Sequence, residues 1–260
     1  MQAIKKLVNS VTYGHGPDLI VLHGLFGMSD NWRTHAKYYS QFFKVHAIDQ
    51  RNHGKSFHNH NNSYEIMSKD LKYYFEYHKI KKSIILGHSM GGKTSMYFSC
   101  MYPKLVDSLI VVDIAPKKYD IRHKYINVFK GLNYLNSIKI SSRKDAFEIL
   151  FKYLDEKHMV NFLLKNLYRN DRNQLKLRCN IDTLSKKIEE LGVYDENRVY
   201  LGKSIFIAGE KSDYIKKNDH NIIKMKFPES SIVYMSGLGH WPHSEAPKQF
   251  REVVNKFLRL

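Results

Sequence analysis

The chain has 260 residues, 43% of them hydrophobic and 26% charged, with only 2 Cys, which excludes collagen, mucin-like stalks and disulfide-rich secreted scaffolds and points to one globular unit. Lys and Arg total 42 against 25 Asp and Glu, a formal charge of +17, so nucleic acid, membrane surfaces and anionic small molecules all come forward as partners. The distribution argues against nucleic acid: residues 115–200 carry 18 basic and 11 acidic side chains and the rest 24 and 14, with no basic arm, stripe or binding-module motif.

In chain order, Met1 to Ser10 lack the apolar core of a signal peptide and the Arg- and Ser-rich helix of a transit peptide. No stretch approaches the ~18 apolar residues of a membrane span, so the expected location is the cytoplasm. Short β-branched runs follow: Leu19–Leu22, Val45–Ile48, Ser83–Leu86, Leu109–Val112, Ser204–Ile207 and Ser231–Tyr234. Runs without polar alternation suit strands buried on both faces. Between them, Tyr64 to Tyr77 and Met90 to Tyr102 have helical spacing, the second stopped by Pro103. The expected fold is therefore α/β, a mostly parallel central sheet with helices on both faces.

One interval lacks comparable strand runs. Phe147, Leu150, Phe151 and Leu154 share a helical stripe, as do Val160, Leu163, Leu164 and Leu167. Residues 116–202 read as an inserted helical cap, with 1–115 and 203–260 as the core. Cys100 and Cys179 are isolated in sequence and read as reduced core residues.

The strongest chemical signal is Ser83 to Gly92, SIILGHSMGG, where a strand runs through G-x-S-x-G into a helix. This is the context of a nucleophile elbow, with Ser89 in a sharp turn and Gly87 and Gly91 removing side chains that would collide. Ser89 needs a base. Of 14 His, His240 stands out, since Ser236-Gly237-Leu238-Gly239-His240-Trp241 follows the last strand run and can deliver an imidazole to the sheet edge. His88 reads as a packed neighbour. His58 and His60 read as solvated loop residues rather than metal ligands, because no third ligand accompanies them, and no metal or other cofactor is expected.

The third member is a carboxylate at a strand end, and two qualify: Asp113, closing Leu109–Val112, and Asp213, after Ser204–Ile207. Either gives the order Ser, Asp, His. Acyl transfer also needs donors for the oxyanion. The Met90 N–H at the elbow supplies one. Within His23-Gly24-Leu25-Phe26-Gly27 the Leu25 N–H is expected to be the other, with Phe26 as alternative. His23, Phe26 and Trp241 are expected to touch substrate.

Five motifs in order, His23–Gly27, Asp49–Ser56 (DQRNHGKS), Gly87–Lys93 (GHSMGGK), Val112–Pro116 (VDIAP) and Gly239–Trp241 (GHW), resemble the α/β-hydrolase superfamily over essentially the whole chain, and within it the YbfF-like bacterial esterases. The resemblance implies an α/β-hydrolase fold and a serine esterase for short-chain acyl esters, with acyl-CoA thioesters as a further substrate class. It also implies Asp113 as the acid. In much of the superfamily the acid follows the next-to-last strand in a G-x-x-D pattern, but here Ser212 holds that position and Asp213 comes one residue late. Arg122, Lys124 and Lys93 are candidate contacts for an anionic leaving group such as CoA. Alternatives are a methyl-ester hydrolase acting on a carrier-protein-bound acyl group, a lyase of the same fold, and a non-catalytic ligand-binding protein.

Overall fold

A computed structural model describes residues 6–260; the N-terminal reading falls partly on residues 1–5, outside the described residues. In chain order the elements are β1 (Ser10–Tyr13), β2 (Asp18–Leu22), α1 (Arg33–Tyr39), β3 (Lys44–Ile48), α2 (Tyr64–Tyr77), β4 (Ser83–His88), α3 (Met90–Met101) and β5 (Val106–Val112). A largely helical stretch follows: α4 (Arg122–Ser137), α5 (Arg143–Leu154), α6 (Lys157–Leu164), β6 (Leu167–Arg169), β7 (Leu175–Leu177), α7 (Ile181–Lys186) and α8 (Ile188–Gly192). The chain then returns through β8 (Ser204–Gly209), α9 (His220–Lys226), β9 (Ser230–Met235), α10 (Pro242–Glu245) and α11 (Pro247–Leu258).

The sheet order is β1-β3-β2-β4-β5-β8-β9. Every pairing is parallel except that of β1 with β3. The six expected runs become the six parallel strands because Ile, Val and Leu on both faces meet an apolar layer on either side. One layer gathers Ile20, Ile85, Phe98 and Phe206. The other gathers Leu19, Trp32, Leu86, Ile110 and Phe250. Helix α2 begins where Ser63 accepts the Ile66 N–H, and α3 ends ahead of Pro103, as a side-chain cap and a ring without an N–H require.

Two strand features depart from the sequence expectation. β1 went unseen because its residues are exposed or half-buried, with no apolar periodicity. The 116–202 interval, read as a helical cap, also contains the antiparallel β6–β7 ribbon. Leu167, which shares the sequence spacing of Val160, Leu163 and Leu164, lies in β6 rather than in a helix. After Leu164 the chain tightens, the Lys165 and Asn166 N–H groups bonding three residues back to Phe162 and Leu163, and the Asn166 carbonyl is taken by the Arg178 N–H; Leu167 still packs on the same cluster. That cluster joins Leu132, Leu150 and Leu163 to Phe26, Tyr64 and Met90, fastening the helical segment over the carboxyl ends of the strands. Among the described residues no helix is long and apolar enough to cross a membrane.

Candidate active site

The C-terminal ends of β4, β5 and β8 and the loop after β9 bring the site together. Ser89 stands between β4 and α3 with φ 52 and ψ −114, a conformation that L-residues avoid unless the surroundings impose it. The Ser89 N–H is held by the Val112 carbonyl at 3.0 Å. A side chain at Gly87 would lie 2.3 Å from the Gly91 carbonyl oxygen, and one at Gly91 2.4 Å from that of Leu22. Only glycines let strand and helix approach so closely.

His240 Nε2 is 3.1 Å from Ser89 Oγ, and His240 Nδ1 is 2.7 Å from Asp113 Oδ2. Asp113 is fully buried, and its other oxygen accepts the Gly209 N–H at 3.0 Å. Ser212 Oγ also donates to Asp113 Oδ2. With Nδ1–H turned to the carboxylate, Nε2 is left as an acceptor facing the serine hydroxyl. Asp213 is 81% exposed and pairs with Lys216 at 3.1 Å. The serine that replaces an acid in the G-x-x-D position thus reaches the same carboxylate that His240 uses.

Sequence reasoning missed the supports of this line. Tyr214 stacks on the His240 ring with centroids 3.8 Å apart; its proximity to Asp213 in sequence was the available signal. His88 Nε2 lies 2.8 Å from the His240 carbonyl, and burial, with the neighbouring His240, holds its pKa well below the ordinary histidine range. It is a neutral donor under the loop that carries His240. At the other end of that loop His35 Nε2 lies 2.8 Å from the His243 carbonyl.

The Met90 N–H stands at the first position of α3, where the helix offers no acceptor. In the β2–α1 loop the Gly24 carbonyl is held by His23 Nδ1 at 2.8 Å and by the Gly27 N–H at 2.9 Å. Fixing that carbonyl fixes the other side of its peptide, the Leu25 N–H. His23, expected to touch substrate, lines the cavity beside Ser89 and also braces this loop. It is buried, its Nδ1–H serves Gly24, and its Nε2 accepts the Gln50 N–H at 3.0 Å. Burial lowers its pKa and keeps this tautomer neutral. Phe26 and Trp241 line one cavity beside Ser89, with Met159 and Phe162 from the helical segment. A second cavity on the other side of Ser89 is lined by Leu25, Met90, Tyr119 and Leu191.

The three cations proposed for an anionic leaving group are placed differently. Lys93 is buried, donating to the carbonyls of Gly192 and Val193 at 2.7 and 3.1 Å with the Tyr119 ring 4.9 Å away; it lines the second cavity beside Ser89, but its ammonium is spent on tying α3 to the end of α8. Arg122 is exposed and paired with Glu189 at 2.6 Å. Lys124 lies over the Tyr214 ring at 4.1 Å, and burial lowers its pKa. His58 Nε2 meets the Arg178 carbonyl at 2.8 Å. Among the described residues no three His, Cys, Asp or Glu side chains are grouped to hold a metal. Cys100 and Cys179 are buried free thiols.

Burial, slightly offset by Asp195, pushes the Lys93 ammonium from 10.5 down to about 7. Between these values the unfolded chain holds a proton that the folded chain lacks, so this group makes stability rise with pH there. Lys93→Met should therefore gain most stability below pH 7, with the gain shrinking as pH rises toward 10. Urea unfolding of both proteins at pH 6.5 and pH 9 checks this; an equal difference at both pH values would contradict it.

A mostly parallel sheet with Ser89 after β4, Asp113 after β5 and His240 after β9 has the architecture of an α/β hydrolase. The profile of the alpha/beta hydrolase fold family matches residues 17–247, and the chain belongs to that family. It is similar to the sn-1-specific diacylglycerol lipase ABHD11 of Danio rerio, 35% identical over 95% of this chain and 80% of that protein. Esterase YbfF of Escherichia coli is 27% identical over 92% of each chain. Among solved structures, a marine microorganism esterase superposes with a TM-score of 0.91 at 36% identity, covering 97% of this chain and 99% of that one.

Proposed function

We propose that this carboxylic ester hydrolase works by two-step acyl transfer on Ser89. His240 takes the Ser89 proton as the hydroxyl attacks the acyl carbonyl, Asp113 orients and stabilises the imidazolium, and the Leu25 and Met90 N–H groups receive the oxyanion. The leaving alcohol takes the proton back from His240, and water repeats the sequence on the acyl-enzyme. The observation that carries this reading is the hydrogen-bonded line from Asp113 through His240 to Ser89, at 2.7 and 3.1 Å. Residues 116–202 act as the cap, since their side chains Met159, Phe162 and Tyr125 close the cavity over Ser89.

The substrate class is small, apolar acyl esters, because both cavities at Ser89 are narrow and largely walled by hydrophobic and aromatic side chains. Glycerolipid esters enter on the name of the Danio rerio relative. Acyl-CoA thioesters rank below them, since of the three cations only Lys124 stands by the His240–Tyr214 stack. A panel of nitrophenyl esters of increasing chain length, monoacyl and diacyl glycerols and acyl-CoAs, assayed at two ionic strengths, tests this. Turnover should peak at short esters and be insensitive to salt. A preference for acyl-CoA that falls with salt would favour charge steering instead.

A further inference from the structure

We propose that Asn166, in the turn between α6 and β6, is a positioning residue for the oxyanion donor, coupling the seating of the helical segment to the shape of the Gly24–Gly27 turn. This rests on the Leu25 N–H being an oxyanion donor. Asn166 is buried, 1% exposed, and its Nδ2 lies 2.8 Å from the Phe26 carbonyl and 3.1 Å from that of Leu163. Two acceptors at one end of the amide settle which end is nitrogen. Its own backbone is anchored at both sides, the N–H to Leu163 O at 3.0 Å and the carbonyl to the Arg178 N–H at 2.9 Å. The amide is therefore presented from a fixed turn.

At the other end stands Phe26, a non-glycine residue at φ 61, whose ring packs against Phe129 and Tyr125 of α4 at centroid distances of 5.4 and 6.0 Å. The helical segment thus grips this residue by ring and by carbonyl. The Phe26 carbonyl and the Gly27 N–H belong to one rigid peptide plane, and the Gly27 N–H donates to the Gly24 carbonyl at 2.9 Å. The Gly24 carbonyl and the Leu25 N–H belong to another. Asn166 holds the first plane, the first plane holds the second, and the second aims the oxyanion donor. If Asn166 releases Phe26, rotation of the 26–27 peptide draws the Gly27 donor away from Gly24 and loosens the Leu25 N–H, with nothing changed at Ser89, His240 or Asp113.

The test compares wild type, Asn166→Leu and Asn166→Val, whose side chains have no hydrogen-bond donor. Asn166 Oδ1 has no hydrogen-bond partner among the described residues, so neither substitution costs an acceptor contact, and thermal melts check folding. Removal of one oxyanion donor costs about 10²- to 10³-fold in kcat; misaiming one is expected to lower kcat on a nitrophenyl ester by about 10- to 100-fold with KM within about twofold. Affinity for an alkyl boronic acid, which forms a tetrahedral oxyanion on the serine, should fall by the same factor, and the pH profile should stay in place. kcat within twofold of wild type, a loss confined to KM, or a fall in kcat with boronate affinity unchanged would each overturn the role of Asn166. Failure of the wild-type protein to bind the boronate, or binding that survives Ser89→Ala, would instead remove the reading on which it rests.

Discussion

Ser89→Ala is expected to lower kcat on a nitrophenyl ester by about 10⁵- to 10⁶-fold while the fold survives, the size of loss seen when a serine nucleophile is removed and only binding and oxyanion contacts remain. The expectation follows from what Ser89 Oγ does: its side-chain hydrogen-bond partner is His240 Nε2 at 3.1 Å, so alanine removes the attacking atom and little else. The backbone at φ 52 is held by the Val112 carbonyl and by the close approach at Gly87 and Gly91, none of which involves the hydroxyl. Melting temperature should move by no more than about 2 °C, the shift that a surface-scale change of ~0.5 kcal/mol produces in a domain of this size. A fluorophosphonate probe should label wild type and not the variant. Turnover close to wild type in Ser89→Ala, with folding intact, would exclude this serine as the nucleophile.

What could be read in the sequence was what neighbouring residues encode. Ser83 to Gly92 carries its own strand, turn and helix, so the elbow is visible without knowledge of anything distant. The six parallel strands announce themselves because both faces are apolar. β1 does not, since an edge strand covered by water on one side and paired on the other has no period to detect. Leu167 had the right spacing and the wrong element, and the Arg178 N–H that takes the Asn166 carbonyl beyond α6 comes from twelve residues away. The same limit applies to charge. Lys93 counted toward +17 and as a contact for anions, yet it is buried against two carbonyls and two tyrosine rings. Tyr214 on His240 and Asn166 on Phe26 join segments separated by 26 and 140 residues, and no local pattern marks such partners.

Asp113→Asn should lower kcat by about 10⁴-fold, and Asp213→Asn by less than about twofold. The first figure rests on a tautomer argument particular to this site. Gly209 N–H points at Asp113 Oδ1 from 3.0 Å, so an asparagine there must keep its oxygen on that side and turn its NH₂ toward His240 Nδ1. His240 then accepts at Nδ1 and carries its proton on Nε2, where it donates to Ser89 Oγ instead of accepting from it. The base is blocked although every atom stays within hydrogen-bond distance. Ser212, which now donates to the carboxylate, would face the same NH₂, and Ser212→Ala should therefore have an effect of its own, about 10-fold in kcat for the loss of one charge-assisted hydrogen bond. Asp213 faces solvent and Lys216, a pair whose loss leaves His240 untouched. If Asp213→Asn removed activity and Asp113→Asn kept it, the base would have to be oriented by the loop after β8 in a conformation other than this one; the opposite result fixes the acid at the end of β5, ahead of the helical segment rather than after it.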